Sequence, residues 1–133
     1  MSGVDRLSAA LRDEGGLLTD ALRDEPQADE ALLAAVPAGP HALALAAVRE
    51  AYLLHYGESR VLETDDADLA LLGGDRLYAL ALAELAALGD LDAIAALAEL
   101  ISACACAHAD AEPAQAVLAW EQAVAAVVRN RTR

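Results

Sequence analysis

Cys104-Ala105-Cys106-Ala107-His108 is the segment whose residue types come nearest to a metal site. Zinc takes thiolates and imidazoles, and a helix brings Cys104 and His108 to one face at i, i+4. Cys106 then points away, and with only two cysteines in the chain no further thiolate can complete a tetrahedron. Residues two apart on a helix are also badly placed for a disulfide. Small buried thiols in an Ala-rich helix account for the segment. Asp65, Asp66 and Asp68 are the only candidates for holding Mg²⁺. Their place at a helix start already explains them, because acidic side chains there satisfy free amides and the helix dipole. A di-iron bundle requires Glu-x-x-His pairs, and none of His41, His55 and His108 has a Glu three residues earlier. No nucleophile–base arrangement and no phosphate loop is visible. The sequence therefore points to no catalytic residue, no metal and no cofactor.

Pro and Gly mark the elements that would position any site. A first helix is expected from Val4 to Glu14, stopping at Gly15-Gly16, then a stretch from Leu17 to Glu25 before Pro26. A short helix from Ala28 to Val36 precedes the Pro37-Ala38-Gly39-Pro40 loop. The next helix, His41 to Tyr56, carries Leu45, Val48, Tyr52 and Tyr56 on one side, with Arg49 and Glu50 on the other. Gly57 to Thr64 reads as a polar connection, followed by a short helix from Asp68 to Leu72. Gly73-Gly74 then marks a kink, and Asp75 to Leu88 is the most apolar helix, with leucines spread around it. Such a helix should be enclosed by several neighbours. After the Gly89-Asp90 turn, Leu91, Ile94, Leu97, Ile101 and Cys104 form one stripe. Pro113 opens the last helix, whose stripe is Val117, Trp120, Val124 and Val127.

Composition agrees. Ala and Leu dominate the hydrophobic 57%, Phe is absent, and strand-favouring residues are few. The expected fold is all-α, a single domain over 1–133 forming a compact bundle of about five to six helices. Short helices occupy 4–36 and core helices 41–130. The net charge of −13, with no Lys, opposes binding to nucleic acid or anionic lipid and favours a basic partner surface. Arg129, Arg131 and Arg133 suit a helix C-terminus. The longest uncharged stretch, Ala31 to Val48, is interrupted by Pro37, Gly39 and Pro40, so no membrane span is expected. No apolar leader follows the first Met, and a cytoplasmic location is expected.

The run Asp68-Leu-Ala-Leu-Leu-Gly-Gly-Asp-Arg-Leu-Tyr-Ala-Leu-Ala-Leu-Ala-Glu-Leu-Ala86 resembles a segment of trans-polyprenyl diphosphate synthases. It is most similar to the small non-catalytic subunit of the heterodimeric heptaprenyl or hexaprenyl enzymes, where a Gly-Asp precedes a Tyr-bearing helix and a second Gly-Asp turn. Gly74-Asp75, Leu85 to Asp90 and the Ile94, Leu97, Ile101 stripe carry the likeness, and Val48 to His55 extends it upstream. The resemblance implies a truncated isoprenoid-synthase-like bundle. The Asp-Asp-x-x-Asp motif of catalytic members is absent, since the corresponding helix ends Leu54-His55-Tyr56-Gly57, and Pro37 to His41 lacks the cations of the basic motif. A Lys-free chain without those groups cannot gather the positive charge that ionises an allylic diphosphate.

The expected role is that of a non-catalytic subunit, not itself an enzyme. It would associate with a catalytic polyprenyl diphosphate synthase and stabilise it or shape its elongation cavity. Tyr52, Tyr78 and Leu82 are the interface or cavity candidates. The alternative is a self-associating helical protein, a homo-oligomer whose likeness to the synthases is convergent Ala/Leu patterning. A further alternative is a small apolar-ligand binder with a cavity lined by Leu and Tyr.

Overall fold

Ser2 starts the first helix by a capping box. Its hydroxyl accepts the Asp5 amide (3.1 Å), while the Asp5 carboxylate accepts the Ser2 hydroxyl (2.8 Å) and amide (3.2 Å). These bonds hold the Asp5 carboxyl below its ordinary value. The box therefore contributes at neutral pH and weakens as pH falls through that lowered value. The helix, α1 (Gly3–Glu14), ends at Gly15, whose φ of +69° a residue with a Cβ adopts only under strain.

The computed structural model describes residues 2–27 and 31–131. Beyond α1 its helices are α2 (Ala31–Ala34), α3 (Pro40–Tyr56), α4 (Ala67–Leu88), α5 (Leu91–Ala109) and α6 (Pro113–Arg131). The fold is all-α: among the described residues the extended pairing amounts to one isolated bridge, Leu22 with Leu62. Contacts group the chain into two compact units, the first ending at Glu84 and the second beginning at Leu85.

In the first unit α1 lays Val4, Leu7 and Leu11 against α3. The approach is close at Gly3, where a Cβ would stand 2.8 Å from the Ala42 carbonyl oxygen. Small side chains make this possible: Ala44, Leu45, Ala46, Ala47 and Val48 are consecutive and all buried. α3, rather than the more apolar α4, is thus the enclosed helix of this unit. Of the leucines between Asp75 and Leu88, expected to be covered on every side, Leu77, Leu80 and Leu85 are buried and Leu82 is half-buried, whereas Leu88 is exposed, as are Leu71 and Leu72 nearer the start of α4.

Other boundaries also differ from expectation. Residues 17–25 contain a single 3₁₀ turn, Thr19–Ala21, and then run extended, because their backbone bonds go to residues 61 and 63. Of the expected Ala28 to Val36 helix, α2 covers Ala31–Ala34 and residues 35–36 have left the helix, while residues 28–30 lie outside the described residues. Gly73-Gly74 does not interrupt α4, which runs unbroken across both glycines.

In the second unit Gly89 (φ +71°) and Asp90 form the expected turn, with the Asp90 side chain accepting the Ala93 amide at 3.0 Å. α5 and α6 pack through Ala93, Leu97, Leu100, Cys104 and Ala107 against Ala116, Trp120, Ala123, Val124 and Val127. The α5 row steps by four and three residues, and the α6 row does so from Ala116 through Trp120 to Ala123, with Val124 adjoining. The expected α5 stripe is therefore turned by about one residue. Ala93 and Ala107 enter the core, Ile94 and Ile101 flank it, and Leu91 is 74% exposed. Val117 is likewise outside, whereas Trp120, Val124 and Val127 face inward as expected. α5 has the length and mean hydropathy (19 residues, 1.5) of a membrane-crossing helix. Much of that value comes from Ala, and Glu99 near its middle is a charged side chain of the kind that is costly at a bilayer centre.

Ala111 ends α5 with φ +56°, and the Glu112 amide reaches back to the Ala107 carbonyl at 2.8 Å. This is the position that glycine normally fills. Ala111→Gly is expected to raise stability by about 1 kcal/mol, read as a higher thermal midpoint. Cys104 is buried and Cys106 exposed, which corrects the expectation of two buried thiols. One thiol should accordingly react with a disulfide reagent in the native protein and the second only after unfolding.

Candidate interaction surface

Glu50 is the most unexpected side chain of the first unit. Expected on the outer side of α3, it is 1% exposed. Its carboxylate accepts the Ser59 hydroxyl (2.8 Å) and the Arg60 amide, with the Arg60 guanidinium 3.9 Å away. The Ser59 hydroxyl oxygen accepts the amides of Val61 and Leu62, each at 3.1 Å. Arg23 donates through Nε (3.2 Å) and Nη2 (2.9 Å) to the Ser59 carbonyl and pairs with Glu63 at 3.3 Å. The connection after α3 is therefore a strap, pinned on one side to Glu50 and on the other to residues 21–27, with Val61 and Leu62 in the core. A hydroxyl on a carboxylate is the beginning of a nucleophile–base pair. Here both groups are buried, and the further bonds they make are those of a pinned turn, so the pair is structural.

The second cluster contains most of the residues singled out from sequence. His55, at the end of α3, lies directly over Gly74 of α4. A Cβ at Gly74 would overlap His55 Nε2 and stand 2.6 Å from Cδ2. His55 Nε2 is buried without a hydrogen-bond partner, 3.9 Å from the Asp75 carboxylate. The Tyr78 ring meets the His55 ring edge-on at 5.5 Å, and Tyr56 flanks it at 6.0 Å. Tyr52 stacks at a tilt on Tyr56 (5.2 Å), and the Arg49 guanidinium sits 5.1 Å from the Tyr52 ring centre. All three tyrosines of the chain thus gather in one place. Tyr56 is 43% exposed and Tyr52 and Tyr78 are half-buried. Leu71, Asp75, Tyr78 and Leu82 share one face of α4 at spacings of four, three and four. Leu71 is 56% exposed and Leu82 half-buried. The structure brings Gly74, Asp75 and Tyr78 together around His55, with Tyr52 joined to them through Tyr56 and Leu82 one turn beyond Tyr78 on α4.

The acidic candidates lie outside this cluster of rings. Asp66 accepts the amides of Asp68 (2.9 Å) and Leu69 (3.2 Å) and so caps α4, while Asp65 and Asp68 are exposed. Among the described residues no group of three His, Cys, Asp or Glu side chains is arranged to hold a metal. A separate cleft of about 260 Å³ is lined by Leu11, Gly15, Leu17, Leu18 and Leu72, with the Arg76–Glu14 ion pair (2.7 Å) at its wall. Tyr52, Tyr78 and Leu82 do not line it.

His55, Tyr56 and Leu71 are not among the interface or cavity candidates expected from sequence. The spacing of Tyr52 and Tyr56 at i, i+4 was the available signal for Tyr56. The place of His55 depends on a glycine in another helix and leaves no local trace. No protein-family model matches the chain, and no match was found among curated proteins or solved structures.

Proposed function

We propose that this chain is a non-catalytic helical subunit that acts by binding another protein. One observation carries the reading: the three tyrosines of the chain form one run of ring contacts through His55 where α3 meets α4, with Arg49 over the Tyr52 ring and Leu71 exposed on the α4 face that carries Tyr78. Tyrosine and arginine are the residues that most often anchor protein interfaces, because each offers apolar area together with a polar tip. The proposed partner is a catalytic polyprenyl diphosphate synthase, nominated by the likeness of residues 68–101 to the small subunits of such enzymes. The chain would stabilise that partner or shape its elongation cavity. A second reading, a homo-oligomer, draws on Leu91, Val117 and Leu118, which are exposed in the second unit.

Capturing the tagged chain from its native lysate and identifying what accompanies it separates the two. A protein with an intact Asp-Asp-x-x-Asp motif supports the first reading, whereas copies of this chain alone would sink it.

A further inference from the structure

We infer that the face formed by Leu71, Tyr78 and Leu82 of α4 with Tyr52 and Tyr56 of α3 receives a basic amphipathic helix of another protein. This rests on the subunit reading above and specifies both the surface and the chemistry of what covers it.

The apolar row on α4 runs over eleven residue steps, about 16 Å of helix axis. That length matches three turns of a partner helix carrying apolar residues at i, i+3 or i+4, and i+7. The electrostatic setting is one-sided. Between residues 58 and 75 there are six carboxylates (Glu58, Glu63, Asp65, Asp66, Asp68, Asp75) and one guanidinium, Arg60. All six acidic residues are exposed. The neighbouring cations are turned to internal acceptors: Arg60 to Glu50, Arg23 to the Ser59 carbonyl and Glu63, Arg76 to Glu14, and Arg49 to the Tyr52 ring. Asp68 and Asp75 lie on the same side of α4 as Leu71, within one turn of it. An occupant with Lys or Arg flanking its apolar stripe would meet carboxylates at the rim and tyrosine faces at the centre. The carboxylates favour a cation. A second copy of this chain is the opposite choice, since each copy brings a charge of −13.

The test places the photoreactive residue p-benzoylphenylalanine at Leu71 in the full chain expressed in its native host. A parallel protein carries it at exposed Val117 as a control in the second unit. Adducts are mapped by mass spectrometry to the crosslinked peptide. The expected result is an adduct at position 71 with a basic, amphipathic helical segment of another protein. Its yield should fall roughly fivefold or more when Asp65→Lys and Asp68→Lys are added, as loss of rim charge requires. An adduct with this chain's own peptides, with lipid, or with an acidic or uncharged segment overturns the inference. So does a yield indifferent to the two charge reversals. Adducts with a different protein at position 117 but not at 71 overturn the inference and leave the subunit reading standing, whereas adducts with this chain alone at 117 overturn both. Adducts at neither position overturn both.

Discussion

Glu50→Ala is expected to lower the unfolding free energy by about 3–5 kcal/mol, measured from urea unfolding followed by helical circular dichroism. The loss is large because the carboxylate is 1% exposed and serves the Ser59 hydroxyl, the Arg60 amide and the Arg60 guanidinium together. Removing it leaves three donors turned towards a space that water does not readily fill. The Ser59 hydroxyl in turn receives the Val61 and Leu62 amides. Release of Ser59 therefore loosens the strap that buries Val61 and Leu62. Glu50→Gln keeps an acceptor oxygen but not the charge, and should cost nearer 1–2 kcal/mol. A Glu50→Ala protein within about 1 kcal/mol of the parent would mean that the strap is held by its apolar residues and not by this knot.

Gly74→Ala is expected to destabilise by about 2 kcal/mol, although the same change in an open helix stabilises by about 1 kcal/mol. The sign turns on His55, whose ring occupies the space that the new methyl group would need. His55→Ala should reverse it: in that background Gly74→Ala becomes stabilising, and the double-mutant cycle gives a coupling of a few kcal/mol. A gain from Gly74→Ala in the parent would show that the ring does not rest on the helix. The pair also gives the Gly74-Asp75 motif a purpose within this chain, independent of any family likeness. Glycine lets α3 and α4 meet through an imidazole, and Asp75 is the carboxylate nearest that ring.

The parts of the fold that could be read from sequence are those set by local chemistry. Gly15, the Gly89-Asp90 turn and Pro113 each mark a helix boundary through a property of one or two residues, and α1, α5 and α6 begin and end there. Burial was less legible, because Ala carries no size signal. Ala93 and Ala107 look the same in sequence as exposed Ala95 and Ala98, so a stripe read from large side chains runs through Ile94 and Ile101 instead. A helical wheel puts Glu50 outside because it registers only its own helix. Its partners follow nine and ten residues later, beyond a turn. Gly73-Gly74 reads as a break for the same reason: its neighbours Leu18, Leu54, Leu62 and His55 come from elsewhere. Tyr52 and Tyr78 could be chosen from sequence as large half-polar side chains. That Tyr78 meets His55, and Tyr52 joins them through Tyr56, is a property of the tertiary structure alone.

The central claim, a helical subunit that works through a partner and not by its own chemistry, is tested most directly by turnover of an allylic diphosphate with isopentenyl diphosphate and Mg²⁺. The purified chain, the synthase captured with it, and the two combined are compared in one assay. The account predicts no turnover by the chain alone, and a rate or product length for the synthase that changes when the chain is added. Turnover by the chain alone would contradict it, as would a synthase whose rate and products are the same with and without the chain.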